Sequence, residues 1–322
     1  MPGASPEDQA RGRTPTQKVE SMTRTVTVGL DGSAESRAAA EWAAREARLL
    51  GLPLKLVQVR EPVAVPTAQT PLLGAETHEY WTERICRETG DGIRLRHPGL
   101  DVTGEQLSGR PADVLVSAAK DAELLVLGSR GLGGVGGFVA GSVGLSVVAH
   151  ADRPVVFVRA GEQAAAEHTR SPVGIPSAAA PSRPVVLGLD IESPDDDLIG
   201  FAFAAAARRG TSLRVVHGWN PPAYYAYGLP VDLEVQQALA LRESTALTEV
   251  LRPWHEKFPE AEVTEECPYG SPGNHLVDAS REASLVVVGR RVRRSPLGAH
   301  IGSVTHAVLH HSTAPVAVVP HD

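Results

Sequence analysis

Short apolar runs alternate with longer stretches in which apolar residues recur every three or four positions, and this alternation runs through the chain twice. In the first half Thr25–Gly29 reads as a strand ending at Asp31. A helix is predicted from Ser33 or Glu35 to Leu50, because Ala39, Trp42, Ala43, Ala47 and Leu50 fall on one face and Gly51 follows as a stop. Leu54–Val59 is the second strand, followed by a Pro-containing loop and a helix over Glu76–Glu88. Val102–Leu107 is a more polar third strand, which suits a sheet edge. Then come a helix over Arg110–Ala122, the apolar strand Leu124–Leu127, a helix over Ser142–Ala149 and a last strand, Val155–Val158. Continuous apolar strands between helices imply a parallel sheet covered on both faces. Right-handed crossovers narrow this to a doubly wound α/β sheet. Ligands on such sheets bind at the carboxyl ends of the strands, where the winding reverses.

The second half repeats the first. Gly29-Leu30-Asp31 returns as Gly188-Leu189-Asp190, an offset of 159 residues, and Gly128 returns as Gly289, an offset of 161. Gly141-Ser142-Val143 matches Gly302-Ser303-Val304. Two whole domains are therefore expected, over residues 22–160 and 184–322, with an Ala-, Ser-, Pro- and Gly-rich linker over 161–183. Residues 1–21 hold no apolar stretch and read as a disordered tail rather than a secretory signal; Met22 is an alternative start. The terminal strands Val155–Val158 and Val316–Val319 would expose unpaired backbone. They are expected to pair with each other, within one chain or between the chains of a homodimer.

Composition adds exclusions. The chain is 42% hydrophobic but only 4% aromatic, so its cores must be built from Ala, Val and Leu. A net charge of −7 argues against a general nucleic-acid binder. No apolar run is long enough for a membrane span. Two distant cysteines, Cys86 and Cys267, fit a reducing, cytoplasmic setting rather than a disulfide scaffold.

The richest chemistry lies in Gly128-Ser-Arg-Gly131-Leu-Gly-Gly-Val-Gly-Gly-Phe-Val-Ala-Gly141-Ser142-Val143, between a buried strand and a helix. Glycines can adopt positive φ and let backbone N–H groups approach a ligand. A helix start offers unpaired N–H groups and a positive dipole end. Together they make a phosphate site, against the alternative of a plain flexible loop. The embedded Gly-x-Gly-x-x-Gly does not open a helix at once, so it is no dinucleotide fingerprint, and Gly-Lys-Ser/Thr of a P-loop is absent.

The spacing Gly-x2-Gly-x9-Gly-Ser at Gly128, Gly131, Gly141 and Ser142 resembles the nucleotide signature of the universal stress protein family. Val28–Ser33 and the Pro-Val-Val-Phe-Val ending resemble that family too, and both halves share the likeness, as in its tandem, ATP-binding form. The resemblance implies five parallel strands in the order 3-2-1-4-5 in each domain, with ATP, and Mg2+ where it is bound, at the ends of strands one and four. It would set Gly29 and Asp31 beside the nucleoside, the main chain of Val59 against adenine, and Leu127 in the pocket. Gly128, Arg130, Gly131, Gly141, Ser142 and Val143 would wrap ribose and phosphates. The second-domain counterparts are Asp190, Gly289, Gly302, Ser303 and Val304. Asp31 could equally serve as a helix N-cap.

The second half departs from the signature. Val292 replaces Gly131, and a β-branched residue resists positive φ and hinders backbone approach. Ile191 and Glu192 replace Gly32 and Ser33, and Gly218 stands where Val59 does. Arg290, Arg291, Arg293, Arg294 and His300 could restore phosphate affinity by charge, or form a solvated basic loop. A weakened or altered second site is expected. His306 and His310 are one turn apart, but no third metal ligand accompanies them. Tyr224, Tyr225 and Tyr227 suit a surface loop better than a lid. The resemblance implies a stress-response or dormancy regulator that binds ATP, not an enzyme. The rival, a slow ATPase or nucleotide-dependent transferase, would be helped by a His-x-Gly-His or Ser-Gly-Gly-x-Asp-Ser string, and neither occurs.

Overall fold

A computed structural model describes residues 24–61, 73–131, 138–139, 141–161, 167–169, 180–220, 233–292 and 301–322. The first domain runs β1 (Thr25–Leu30), α1 (Ala34–Leu50), β2 (Leu54–Arg60), α2 (Leu73–Arg96), β3 (Val102–Ser108), α3 (Pro111–Lys120), β4 (Ala122–Gly131), β5 (Phe138–Val139), α4 (Ser142–His150) and β6 (Val155–Arg159). The second runs β7 (Val185–Gly188), α5 (Asp196–Arg209), β8 (Leu213–Val216), α6 (Leu233–Lys257), β9 (Val263–Glu266), α7 (Pro272–Ala279), β10 (Leu285–Arg291), α8 (Ser303–His311) and β11 (Val316–His321). The order β3-β2-β1-β4-β6-β11-β10-β7-β8-β9 contains the 3-2-1-4-5 arrangement twice, back to back. Strands are parallel within each domain except the two-residue β5, which runs antiparallel to β4. At the junction β6 and β11 run antiparallel, with Phe157 opposite Val316 and Val155 opposite Val318. The terminal strands thus pair within one chain.

Both faces of the sheet are covered. One layer packs α1, α2, α5 and α6 against residues such as Leu124, Val126 and Val287. The other packs α3, α4, α7 and α8 against Leu125, Leu127 and Val288. Alternate residues of each inner strand are therefore buried on opposite sides, which is why these strands read as unbroken apolar runs.

One helix runs longer than the sequence reading, and one differs between the two domains. α2 continues past Glu88 to Arg96 despite Gly90 and Gly92. A Cβ at Gly90 would lie 3.5 Å from Leu56, and Ile93 is fully buried, so packing against β2 outweighs the low helix propensity of glycine. α5 starts about one turn later than α1, because Pro194 intervenes and Asp195 caps instead, accepting from Asp197 N and Leu198 N at 3.0 and 3.1 Å.

The domains also meet through α1 and α5. Glu46 accepts from Arg209 at 2.5 Å and lies 3.7 Å from Arg208, and the Arg209 guanidinium sits 5.9 Å from the centre of the Trp42 ring. Arg45 pairs with Glu167, where the chain between the domains crosses the junction.

Candidate functional site

The pairing of β1 with β4 stops at Val28 and Val126, although both strands continue. Beyond that point each turns to its other neighbour: Leu30 pairs with Gln58 of β2, and Ser129 with Arg159 of β6. A crevice opens between their carboxyl ends, where the winding reverses.

Leu127 and Gly29 form its base. A Cβ on Gly29 would come within 2.8 Å of Leu127 Cδ2, so this glycine is small for packing and not to admit a ligand. β2 outruns β1 by two residues, Val59 and Arg60. The Arg60 carbonyl accepts from Gly109 N on the β3 side at 3.0 Å. Strand alternation then turns the N–H and C=O of Val59 toward the crevice. Asp31 lies exposed at the mouth of β1. Its Oδ1 accepts from Ser33 N at 3.0 Å and Ser33 Oγ at 2.5 Å, and Ser33 Oγ accepts from Ser36 N at 3.1 Å. Ser33 is therefore the N-cap of α1, and Asp31 holds that cap in place rather than being it.

The glycines have unlike roles. A Cβ on Gly128 would lie 2.6 Å from Glu35 C and Ser36 N, so its bareness lets α1 approach β4. Gly131 is extended and pairs with Phe138 of β5, beside Arg130 with Val139. Gly141, the N-cap of α4, has φ −58° and ψ 164°, and a Cβ there would meet nothing within 4 Å among the described residues. None of the three is among the described glycines with positive φ, so left-handed backbone is not what these three positions supply; Gly133, Gly134, Gly136 and Gly137 lie outside the described residues. What Gly141 provides is open space beside a helix start that no side chain caps. The first N–H groups of α4, at Ser142, Val143 and Gly144, have no acceptor within the helix, and Ser142 and Val143 are exposed. These donors and the dipole of α4 suit an anion. Residues 132–137 and 140, and the Arg130 side chain, lie outside the described residues.

Two polar groups were passed over in the sequence. Ser129 Oγ and Gln58 Oε1, at the ends of β4 and β2, are buried with no hydrogen-bond partner among the described residues. A polar residue closing an apolar strand was the available signal.

The second domain repeats the crevice, since the pairing of β7 with β10 stops at Leu187 and Val287. Asp190 accepts from Glu192 N at 3.1 Å, in the manner of Asp31. Gly302 again faces open space at the uncapped start of α8, followed by Ser303 and Val304, and Thr305 Oγ1 donates to Gly289 O at 2.7 Å. The rest differs. Where α1 approaches Gly128, the late start of α5 leaves room that His321 fills, its Nε2 lying 2.6 Å from a Cβ placed on Gly289. Val292 N donates to His321 O at 2.6 Å. No non-glycine residue has positive φ among the described residues, so Val292 alters the site by spending its N–H on β11 and not by resisting a left-handed turn. Gly218 backs onto Pro272, 2.6 Å from a Cβ placed there. Glu192, Asp196 and Asp197 make the rim acidic and exposed.

The idea that Arg290 restores charge to this loop is overturned. Arg290 is 4% exposed and donates across the junction to Ala149 O and Ala151 O, at 3.2 and 2.5 Å. Arg291 is exposed, while Arg293, Arg294, His300 and the three tyrosines lie outside the described residues. The ring centres of His306 and His310 lie 4.1 Å apart with the planes tilted by 37°. Among the described residues no group of three or more His, Cys, Asp or Glu is placed to hold a metal ion. No described helix is long and apolar enough to cross a membrane.

The chain matches the universal stress protein family over residues 22–159 and again over 181–320. A universal stress protein of Mycolicibacterium smegmatis is 32% identical over 305 residues, covering 91% of this chain and 96% of the relative. One from Mycobacterium tuberculosis is 31% identical over 301 residues, with the same coverage. The crystal structure of a universal stress protein from Archaeoglobus fulgidus superposes with a TM-score of 0.63 at 17% identity, over 92% of this chain and 98% of that one, a likeness of fold.

Proposed function

The chain belongs to the universal stress protein family as a tandem of two domains, and from that premise we propose that it is an ATP-binding regulator of stress response or dormancy, with nucleotide held by the first domain. The observation that carries this reading is the crevice between β1 and β4, crowned by the uncapped start of α4 at Gly141–Val143. Phosphates would accept from the N–H groups of Ser142, Val143 and Gly144, and the bare Cα of Gly141 lets them come close. Adenine would read the main chain of Val59, as Asp31 takes ribose hydroxyls or a Mg2+-bound water. These residues bind and orient; the reading assigns none of them a bond-breaking step.

The second crevice is proposed as weak. Its Val292 N–H is spent, its helix starts late, and its rim is acidic. Losing one charge-assisted backbone bond costs about 1.5–3 kcal/mol, roughly ten- to a hundredfold in affinity. Calorimetric titration of the full chain with ATP, with a hydrolysis assay on the same sample, tests this. One tight site per chain without appreciable turnover is expected. Two equal sites would refute the asymmetry, fast turnover would favour an enzyme, and no binding would end the nucleotide reading.

A further inference from the structure

The antiparallel seam of β6 and β11 brings α4 and α8 onto one face of the sheet, and each receives an arginine from the other domain. Arg290, at the end of β10, donates Nη1 to Ala149 O and Nη2 to Ala151 O, in the last turn and C-cap of α4. Arg159, at the end of β6, donates Nη1 to Ser312 O, the C-cap of α8. Helix C-termini leave carbonyls without partners and carry partial negative charge, so a guanidinium there satisfies both. The position equivalent to Arg290 in the first domain is Ser129, too short to reach across. Burying a guanidinium is costly unless its donors are met, so the two carbonyls and Arg290 fix each other's position.

α4 has nine residues, and its opposite end is the start at Gly141–Val143. A short, rigid helix held at its C-terminus cannot tilt its first N–H groups independently. We propose that Arg290 is a positioning residue for the first-domain nucleotide site: the second domain holds α4 in the pose that binds phosphate, and this is what the degenerate half contributes to binding. The inference rests on the nucleotide reading above. It gives the altered loop a role that needs no ligand of its own.

The test is ATP titration of the full chain beside Arg290→Met, Arg290→Lys and Arg208→Met, with melting of each protein recorded without and with ATP. Arg208 also lies at the domain junction, on the opposite face of the sheet and away from α4. Arg290→Met is expected to weaken ATP binding roughly 2- to 30-fold, the range of coupling carried by residues that touch no ligand. Arg290→Lys, a single point charge in place of a fork, should fall between it and the parent. Arg208→Met should bind as the parent does, whatever its melting temperature. Equal affinity in the parent and Arg290→Met overturns the proposal, as does an equal loss in Arg208→Met, which would mean general loosening of the junction. If Arg290→Met does not fold, Arg290→Lys decides, and unchanged affinity there overturns it. A parent that binds no ATP defeats the nucleotide reading itself, a result distinct from all of these.

Discussion

At the scale of single residues, the signature glycines divide by what a methyl group would strike. At Gly128 it would meet the backbone of Glu35 and Ser36 at 2.6 Å, and backbone cannot swing aside. Gly128→Ala should therefore destabilise the fold by about 1–3 kcal/mol through overpacking, seen as a lower urea midpoint. At Gly141 the methyl would meet nothing within 4 Å among the described residues. Gly141→Ala should leave the unfolding free energy within about 1 kcal/mol of the parent, the cost of a poorer cap, yet weaken ATP binding. If Gly141→Ala binds ATP as the parent does, the open space at α4 is not where phosphate sits.

At the scale of elements, α8 carries His306 and His310 where α4 has Leu145 and Ala149. The pKa of His306 is held below the ordinary histidine value by partial burial first, and then by His310 and His311. A lowered folded pKa gives stability that is full above the unfolded value of about 6.5 and is lost as pH falls through the folded value. The protein should melt at a lower temperature at pH 5.5 than at pH 7.5, with α8 contributing part of the difference. His306→Leu, which installs the residue found at Leu145 in α4, should shrink that difference. An unchanged pH dependence in this variant would mean that the histidine row on α8 does not couple to folding.

At the scale of the whole molecule, the domains are joined by the ladder of β6 with β11, by Arg290 and Arg159 reaching the ends of α4 and α8, and by the buried ion group on α1 and α5. Glu46 and Arg209 are each nearly inaccessible, so Glu46→Ala would strand a guanidinium in the junction. Breaking a buried pair from one side costs about 3–5 kcal/mol. The loss should fall on the junction, so that a single melting transition in the parent becomes two in the variant. One unchanged transition at the parent's midpoint would show that the ion group on α1 and α5 does not couple the domains.

The alternation of apolar runs with helical-period stretches, read twice at offsets of 159 and 161, was enough to specify two doubly wound sheets. A strand buried on both faces leaves an unbroken apolar run whatever its neighbours are. The same logic pointed to Asp31 and the loop after Gly128, because topology puts the winding reversal at those strand ends, whereas Val59 came only from the family resemblance. What the sequence could not decide is what depends on a second surface. Val155–Val158 has the same pattern whether it pairs within the chain or with another copy, and only the assembled sheet sets it against β11. Gly128 and Gly141 are the same letter, and only the approach of α1 to one and open space beside the other tells them apart. Arg290 reads as one charge in a basic loop, since nothing local marks a cation that will be buried. It is the antiparallel seam that brings the C-terminus of α4 within its reach and turns it away from the crevice its own domain forms.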